Sequence, residues 1–84
     1  MAYLLYIVEC ADGTYYTGIT TDVERRIQEH NSENGKGARY TAARRPVTLV
    51  YEASFSTRSE ALKEELRIKG LTRSQKARLI ADVV

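Results

Sequence analysis

The 84-residue sequence contains one cysteine, one proline and no long apolar run. With Cys10 alone, an intramolecular disulfide is impossible and a metal cluster held by thiolates is excluded. The chain therefore suits a reducing, cytoplasmic setting. No stretch reaches the roughly 20 apolar residues of a membrane-spanning helix. The first residues lack the basic-then-apolar layout of a secretory leader. Internal repeats, low-complexity linkers, zinc-finger spacing and a helix-turn-helix signature are also missing. One domain over residues 1–84 is expected, near the lower limit for folding without covalent staples. The formal charge is only +2, too little by itself to argue for nucleic acid.

What charge there is lies unevenly. Nine of the 13 basic residues are arginine. Between Asn31 and Pro46 stand Lys36, Arg39, Arg44 and Arg45 against a single acid, Glu33. An arginine-rich loop containing glycine suits phosphate, because the guanidinium fork matches phosphate geometry. A solvated surface loop would have the same composition.

Tyr3 to Cys10 alternates and is rich in large and β-branched residues, so it predicts a strand. Asp12-Gly13 marks a turn and Thr14 to Ile19 a second strand, which together make a hairpin. Thr20, Thr21 and Asp22 offer caps for a helix whose apolar stripe begins with Val23 and Ile27. A loop over Asn31 to Pro46, with a helical turn near Ala38-Arg39-Tyr40, leads to a third strand, Val47 to Phe55. In that strand the residues at 47, 49, 51, 53 and 55 share one face. Thr57-Arg58-Ser59-Glu60 is a capping box opening a helix to Lys69, ended by Gly70. Thr72-Arg73-Ser74-Gln75 is a second box, opening a last helix through Ala81. The order is ββαβαα, an α+β fold with a three-stranded antiparallel sheet flanked by helices.

Helical phase picks out the polar residues that face inward. With Val23 as reference, Ile27 lies about 40° to one side, and His30 and Arg26 about 20° and 60° to the other. Glu24, Arg25, Gln28 and Glu29 point away. On the next helix, taking Ala61 as reference, Leu62 and Leu66 lie at about 100° and 140° and Ile68 at about −20°. Glu65, at about 40°, falls inside that apolar arc, whereas Glu60 and Glu64 fall opposite it with Lys63 and Arg67. A polar group on a core-facing stripe must be paired or used. An ion pair of Glu65 with Lys69 or Arg26 would account for the carboxylate without catalysis. Tyrosines on strands, such as Tyr6 and Tyr16, are common at core edges. Taken together these residues offer a carboxylate for a hard cation, a guanidinium for phosphate charge, and phenols and an imidazole for proton transfer.

With these residues in place the chain resembles the GIY-YIG endonuclease superfamily, in particular its short single-domain bacterial-type members. Tyr16-Thr17-Gly18 stands for the second half-motif and is followed by Ile19 through Ile27, where Arg26 matches the family's arginine and His30 a histidine of this subgroup. Leu4-Leu5-Tyr6 stands for the first half-motif and keeps its tyrosine. Arg58 through Glu65 fits the metal-ligand helix, with Glu65 at the glutamate position. The likeness runs from about Tyr3 to Leu79 and implies metal-dependent cleavage of phosphodiester bonds. On that resemblance Glu65 would bind Mg²⁺ or Mn²⁺, and Tyr6 would be the general base, directly or through His30. Arg26 would hold the scissile phosphate, Tyr16 would hydrogen-bond in the site, and Gly18 would permit close backbone approach. No other cofactor is implied. The partner would be nucleic acid, DNA ahead of RNA, with Lys36, Arg39, Arg44 and Arg45 as the binding loop.

Two other readings compete. One is a nucleic-acid-binding module with little catalytic power, dependent on the 36–45 loop rather than on Glu65. The other is a weakly dimerising interaction domain using the apolar tail Leu79 to Val84, which would otherwise complete the core of a monomer.

Overall fold

The computed structural model describes residues 2–32 and 37–82. Strand β1 (Tyr3–Glu9) pairs antiparallel with β2 (Tyr15–Thr20) on one side and β3 (Thr48–Phe55) on the other, giving the sheet order β2-β1-β3. Among the described residues there are four helices: α1 (Val23–His30), α2 (Arg39–Ala42), α3 (Arg58–Lys69) and α4 (Arg73–Ala81). The α+β order expected from the sequence therefore holds, with the helical turn inside the basic loop realised as α2. Among the described residues no helix is long and apolar enough to cross a membrane.

Central position in the sheet explains why β1 has apolar residues on both faces. Leu5, Tyr6, Ile7 and Val8 are all buried, and strand alternation sorts them into two cores. Tyr6 and Val8 join Cys10, Val23 and Val47 in the core that also takes Ile27. Leu5 and Ile7 meet Ile68 on the opposite side, with Tyr51, Phe55, Leu79 and Ile80 packed around them. Each fully buried aliphatic side chain contributes about 1.5–3 kcal/mol, so these few residues dominate stability in a chain this short. Leu79 and Ile80 of the apolar tail are thus half-buried against this core, while Val83 and Val84 lie outside the described residues.

Local chemistry sets the boundaries. The hairpin turn closes through the Gly13 N–H donating to the Cys10 carbonyl at 2.9 Å, with Gly13 at φ 83°, a conformation that glycine adopts without a Cβ penalty. The Asp12 carboxylate accepts from the Thr14 hydroxyl at 2.6 Å and fixes the same turn. Asp22 caps α1, accepting from the Arg25 N–H, and both capping boxes form at Thr57/Glu60 and Thr72/Gln75. After α1 the Asn31 side chain pairs with both backbone groups of Val47, at 2.7 and 3.1 Å. This imitates a strand pair and ties the start of β3 to the end of α1.

The structure corrects three details of facing. In β3 the register slips by one residue, with Ile7 opposite Tyr51 but Val8 opposite Leu49. That bulge breaks the single face expected over 47–55: Val47 packs in the α1 core, and Val50, Tyr51 and Phe55 in the other. On α3, Leu62 and Leu66 are exposed, at 39% and 71%. Only Ala61 and Ile68 of α3 are fully buried, so the buried arc centres on them. The small Ala61 lets that line of the helix sit close to the sheet, which turns Leu62 and Leu66 outward. Glu64, expected on the opposite side, is as a result half-buried like Glu65. On α1, Glu29 does not point away; it is half-buried and pairs with Arg26.

One buried polar atom has no partner among the described residues, the Thr17 hydroxyl, in a side chain 3% exposed. An unpaired buried hydroxyl costs about 1–3 kcal/mol, so Thr17→Val, which keeps the shape, is expected to stabilise the fold by about 1 kcal/mol. A urea midpoint at or below that of the unsubstituted chain would contradict this.

Candidate active site

A cleft of about 370 Å³ opens between the hairpin, α1 and α3. Into it come Tyr6 from β1, Tyr16 and Gly18 from β2, Arg26 from α1, and Arg58, Leu62 and Glu65 from α3. Register produces the first part of this arrangement. Tyr6 lies directly across from Gly18, and its ring occupies the space that any side chain at 18 would need. The close approach at Gly18 is therefore made by the Tyr6 phenol.

Behind Tyr6 stands a buried proton chain. The Tyr6 hydroxyl is 2.7 Å from His30 Nε2, and His30 Nδ1 is 2.8 Å from Thr41 Oγ1. The Thr41 hydroxyl donates its one proton to the Ala38 carbonyl at 2.9 Å. In the tautomer protonated at Nδ1, His30 donates to the Thr41 hydroxyl oxygen and Nε2 accepts from the Tyr6 hydroxyl. The Ala38 N–H also points at Nδ1, from 3.4 Å. Thr41 is fully buried and fixes the orientation of the imidazole. Nothing in the sequence marks it, since it sits in a polar loop and becomes a core residue only when α2 folds onto α1.

The charges around this chain are strongly conditioned. Burial pushes the Tyr6 phenol up to about 12, even though the neighbouring Arg26 guanidinium pulls it down. Burial, with Arg26 adding to it, pushes His30 down to about 4, so the imidazole is neutral at pH 7. Burial also opposes the charge on Arg26, but hydrogen bonds to Glu29 and Tyr6 outweigh it and net raise its pKa. Arg26 Nη1 reaches Glu29 Oε1 at 3.0 Å, so Glu29 is a carboxylate partner of Arg26. Tyr16 packs edge-on against His30 with ring centroids 5.2 Å apart, and its hydroxyl has no protein partner among the described residues.

The His30 shift fixes a pH dependence. The unfolded imidazole titrates near 6.5, so between about 6.5 and 4 the unfolded chain binds a proton that the folded chain refuses. This contribution is complete above 6.5, is lost as pH falls towards 4, and amounts to about 3 kcal/mol between pH 7 and pH 4. In urea unfolding, His30→Gln is expected to flatten that limb relative to the unsubstituted chain. Parallel pH profiles for the two chains would refute it.

Glu65 is half-buried at the cleft, with its Oε2 3.4 Å from Lys69 Nζ. Its other oxygen has no partner among the described residues. No group of three or more His, Cys, Asp or Glu side chains gathers among the described residues. A single carboxylate suits a hard cation such as Mg²⁺ or Mn²⁺ that keeps most of its waters, and the donor set here fits such an ion.

The basic loop is less available than its composition implied. Arg44 pairs with Asp12 at 3.0 Å, donates to the Tyr40 carbonyl and lies 4.0 Å over the Tyr40 ring, which itself stacks on Tyr16. Arg45 donates to the Ala42 carbonyl. Arg39 is exposed with no partner among the described residues, and Lys36 lies outside them. Sequence reasoning missed Arg58 and Leu62 as cleft residues, because the motif pointed only to Glu65 on that helix.

This fold and site define a small α+β domain with a tyrosine–arginine–glutamate cleft. The GIY-YIG catalytic domain matches residues 2–78, and the chain belongs to that family. A UPF0213 protein of Halobacterium salinarum is 57% identical over 75 residues, covering 89% of this chain and 95% of its own length. Another, of Staphylococcus saprophyticus, is 54% identical over 78 residues and covers 93% of each. The solution NMR structure of the UPF0213 protein BH0048 from Bacillus halodurans superposes with a TM-score of 0.64 at 44% identity, covering 99% of this chain and 86% of that one. The family is a nuclease family, which makes nucleic acid the coarse expectation for the substrate.

Proposed function

We propose that residues 1–84 form one catalytic domain, a divalent-metal-dependent nuclease that cleaves phosphodiester bonds, with DNA the favoured substrate over RNA, in the cytoplasm. The observation that carries the proposal is that Tyr6, Arg26 and Glu65, supplied by β1, α1 and α3, line one cleft. Arg26 binds the scissile phosphate and stabilises the negative charge that grows on it, in a partly buried place where such charge is poorly screened. Its charge is secured by Glu29, so it need not be neutralised by Glu65. Glu65 would hold Mg²⁺ or Mn²⁺, which supplies Lewis-acid charge at the phosphate when bound.

Tyr6 accepts the proton of the attacking water as its own proton moves to His30 Nε2. As these protons move the water oxygen bonds to phosphorus and the phosphorus–sugar oxygen bond breaks; the departing oxygen takes a proton from solvent, and His30 gives its extra proton back to solvent through Tyr6. With Tyr6 near 12 and His30 near 4, a standing phenolate–imidazolium pair lies on the order of 10 kcal/mol uphill before the attraction of its charges is counted. The two proton shifts must therefore accompany attack, and the nearby cations must lower the phenol further in the bound state. Thr41, accepting from Nδ1–H, keeps Nε2 open for the task. The binding-module reading draws less support, because two of its loop arginines are already bonded within the fold.

The test is a cleavage assay over single-stranded, duplex, branched and damaged DNA and RNA, with Arg26→Ala alongside. Arg26→Ala is expected to lower the rate about 10²–10³-fold, as for other groups that meet transition-state charge. Cleavage at the unsubstituted rate by a folded Arg26→Ala chain would assign the activity to another site.

A further inference from the structure

Beside Glu65, α3 carries an unusual strip. Arg58, Leu62 and Leu66 follow one another at four-residue steps, so they lie about 6 Å apart along one side of the helix. Arg58 and Leu62 line the cleft, and Leu66, 71% exposed, extends the line beyond it. Arg58 has no hydrogen bond or ion pair among the described residues, although five other arginines of the chain are ion-paired or bonded to backbone carbonyls outside the cleft: Arg25, Arg44, Arg45, Arg67 and Arg73. Phase on the helix places Lys69, at about 80°, between Glu65 at about 40° and Leu62 at about 100°. A cation followed by two exposed leucines, continuous with a catalytic cleft, matches a ligand that alternates phosphate with flat apolar surface. The step along the strip is comparable to the spacing of neighbouring nucleotides in an extended single strand.

We propose that this strip holds the nucleotide next to the scissile one, in an unpaired strand: Arg58 takes its phosphate, and Leu62 and Leu66 cover the face of its unstacked base. The inference rests on the nuclease reading and narrows its substrate class. Leucine side chains reach a base face only where the base has left its stack, so single strands, flaps and damaged sites bind and intact duplex does not gain the contact. The arginine contributes the salt-dependent part of the affinity and the leucines the salt-independent part.

The experiment is fluorescence anisotropy of a short labelled single-stranded oligonucleotide and of a duplex hairpin, in EDTA so that no cleavage intervenes, across a salt series. Arg58→Ala is expected to weaken single-strand binding about tenfold and to lower the salt slope by about 1, with Arg58→Lys recovering much of the loss. The double variant Leu62→Ser, Leu66→Ser is expected to weaken single-strand binding about tenfold with the salt slope unchanged and duplex binding untouched. Unchanged single-strand affinity in these variants, equal losses on duplex, or no oligonucleotide binding at low salt would overturn the strip. So would a concentration-dependent dimer in light scattering that Leu66→Ser dissolves while oligonucleotide binding stays intact, which would give the strip to a second copy. A chain that binds as described but cuts nothing with Mg²⁺ or Mn²⁺ leaves the strip standing and removes the nuclease reading alone. Cutting that persists while the strip variants bind normally does the reverse.

Discussion

Gly18→Ala is expected to destabilise the chain by about 3 kcal/mol or more and to remove cleavage with it. A methyl group at position 18 would stand 2.5 Å from the Tyr6 hydroxyl oxygen and 2.7 Å from its Cζ. In most proteins a flexible side chain would swing aside, but this one has nowhere to go. Tyr6 is 1% exposed, and its hydroxyl is held at 2.7 Å by His30 and also meets Arg26. Either β2 moves off β1 at the Tyr6–Gly18 pair, or the phenol leaves its socket and strands His30 Nε2 without a partner. The first costs sheet hydrogen bonds, and the second leaves buried polar groups unpaired. A domain of this size has a total stability of about 4–12 kcal/mol, so the loss removes a large share of it. Urea unfolding checks the stability, and a Gly18→Ala chain as stable and as active as the parent would show that the Tyr6 socket is looser than its geometry.

Glu65→Gln is expected to lower metal-dependent cleavage by about 10³-fold or more while leaving the fold intact. The two effects separate because Glu65 contributes little to stability. Its only ion pair among the described residues is with Lys69 at 3.4 Å, and a partly exposed pair of that kind is worth about 0–1 kcal/mol. Glutamine keeps the size and one oxygen but loses the charge that a hard cation requires. Titration of Mn²⁺ followed by electron paramagnetic resonance gives a readout independent of turnover. The unsubstituted chain is expected to show a weak site that Glu65→Gln lacks. Equal Mn²⁺ binding by both chains would move the metal away from this carboxylate.

Strands, caps and the chemistry-bearing side chains were legible because each leaves a local signature. Both capping boxes and the Gly70 stop placed α3 and α4 to the residue, and the phase of α1 separated inward Arg26 from outward Arg25. Periodicity could not foresee events that depend on a neighbour. A one-residue bulge against β1 split the apolar face of β3, and the small Ala61 rotated α3 so that two leucines faced outward. The proton chain shows the same limit more clearly. Tyr6 and His30 were visible as types on buried faces, but Thr41 belongs to a stretch that reads as polar loop. Its role follows only from the tertiary closure made by Asn31 and α2. Arg44 read as a phosphate ligand by composition, yet Asp12, 32 residues away, binds it from the hairpin turn.

The central claim is that the Tyr6–Arg26–Glu65 cleft cuts phosphodiester bonds with a divalent ion. Its most direct test is single-turnover cleavage of an end-labelled oligonucleotide by the purified chain and by Glu65→Gln, in Mg²⁺ or Mn²⁺ and in EDTA. The account predicts fragments only from the unsubstituted chain and only with the metal present. Equal cutting by both chains, or cutting that survives EDTA, would contradict it.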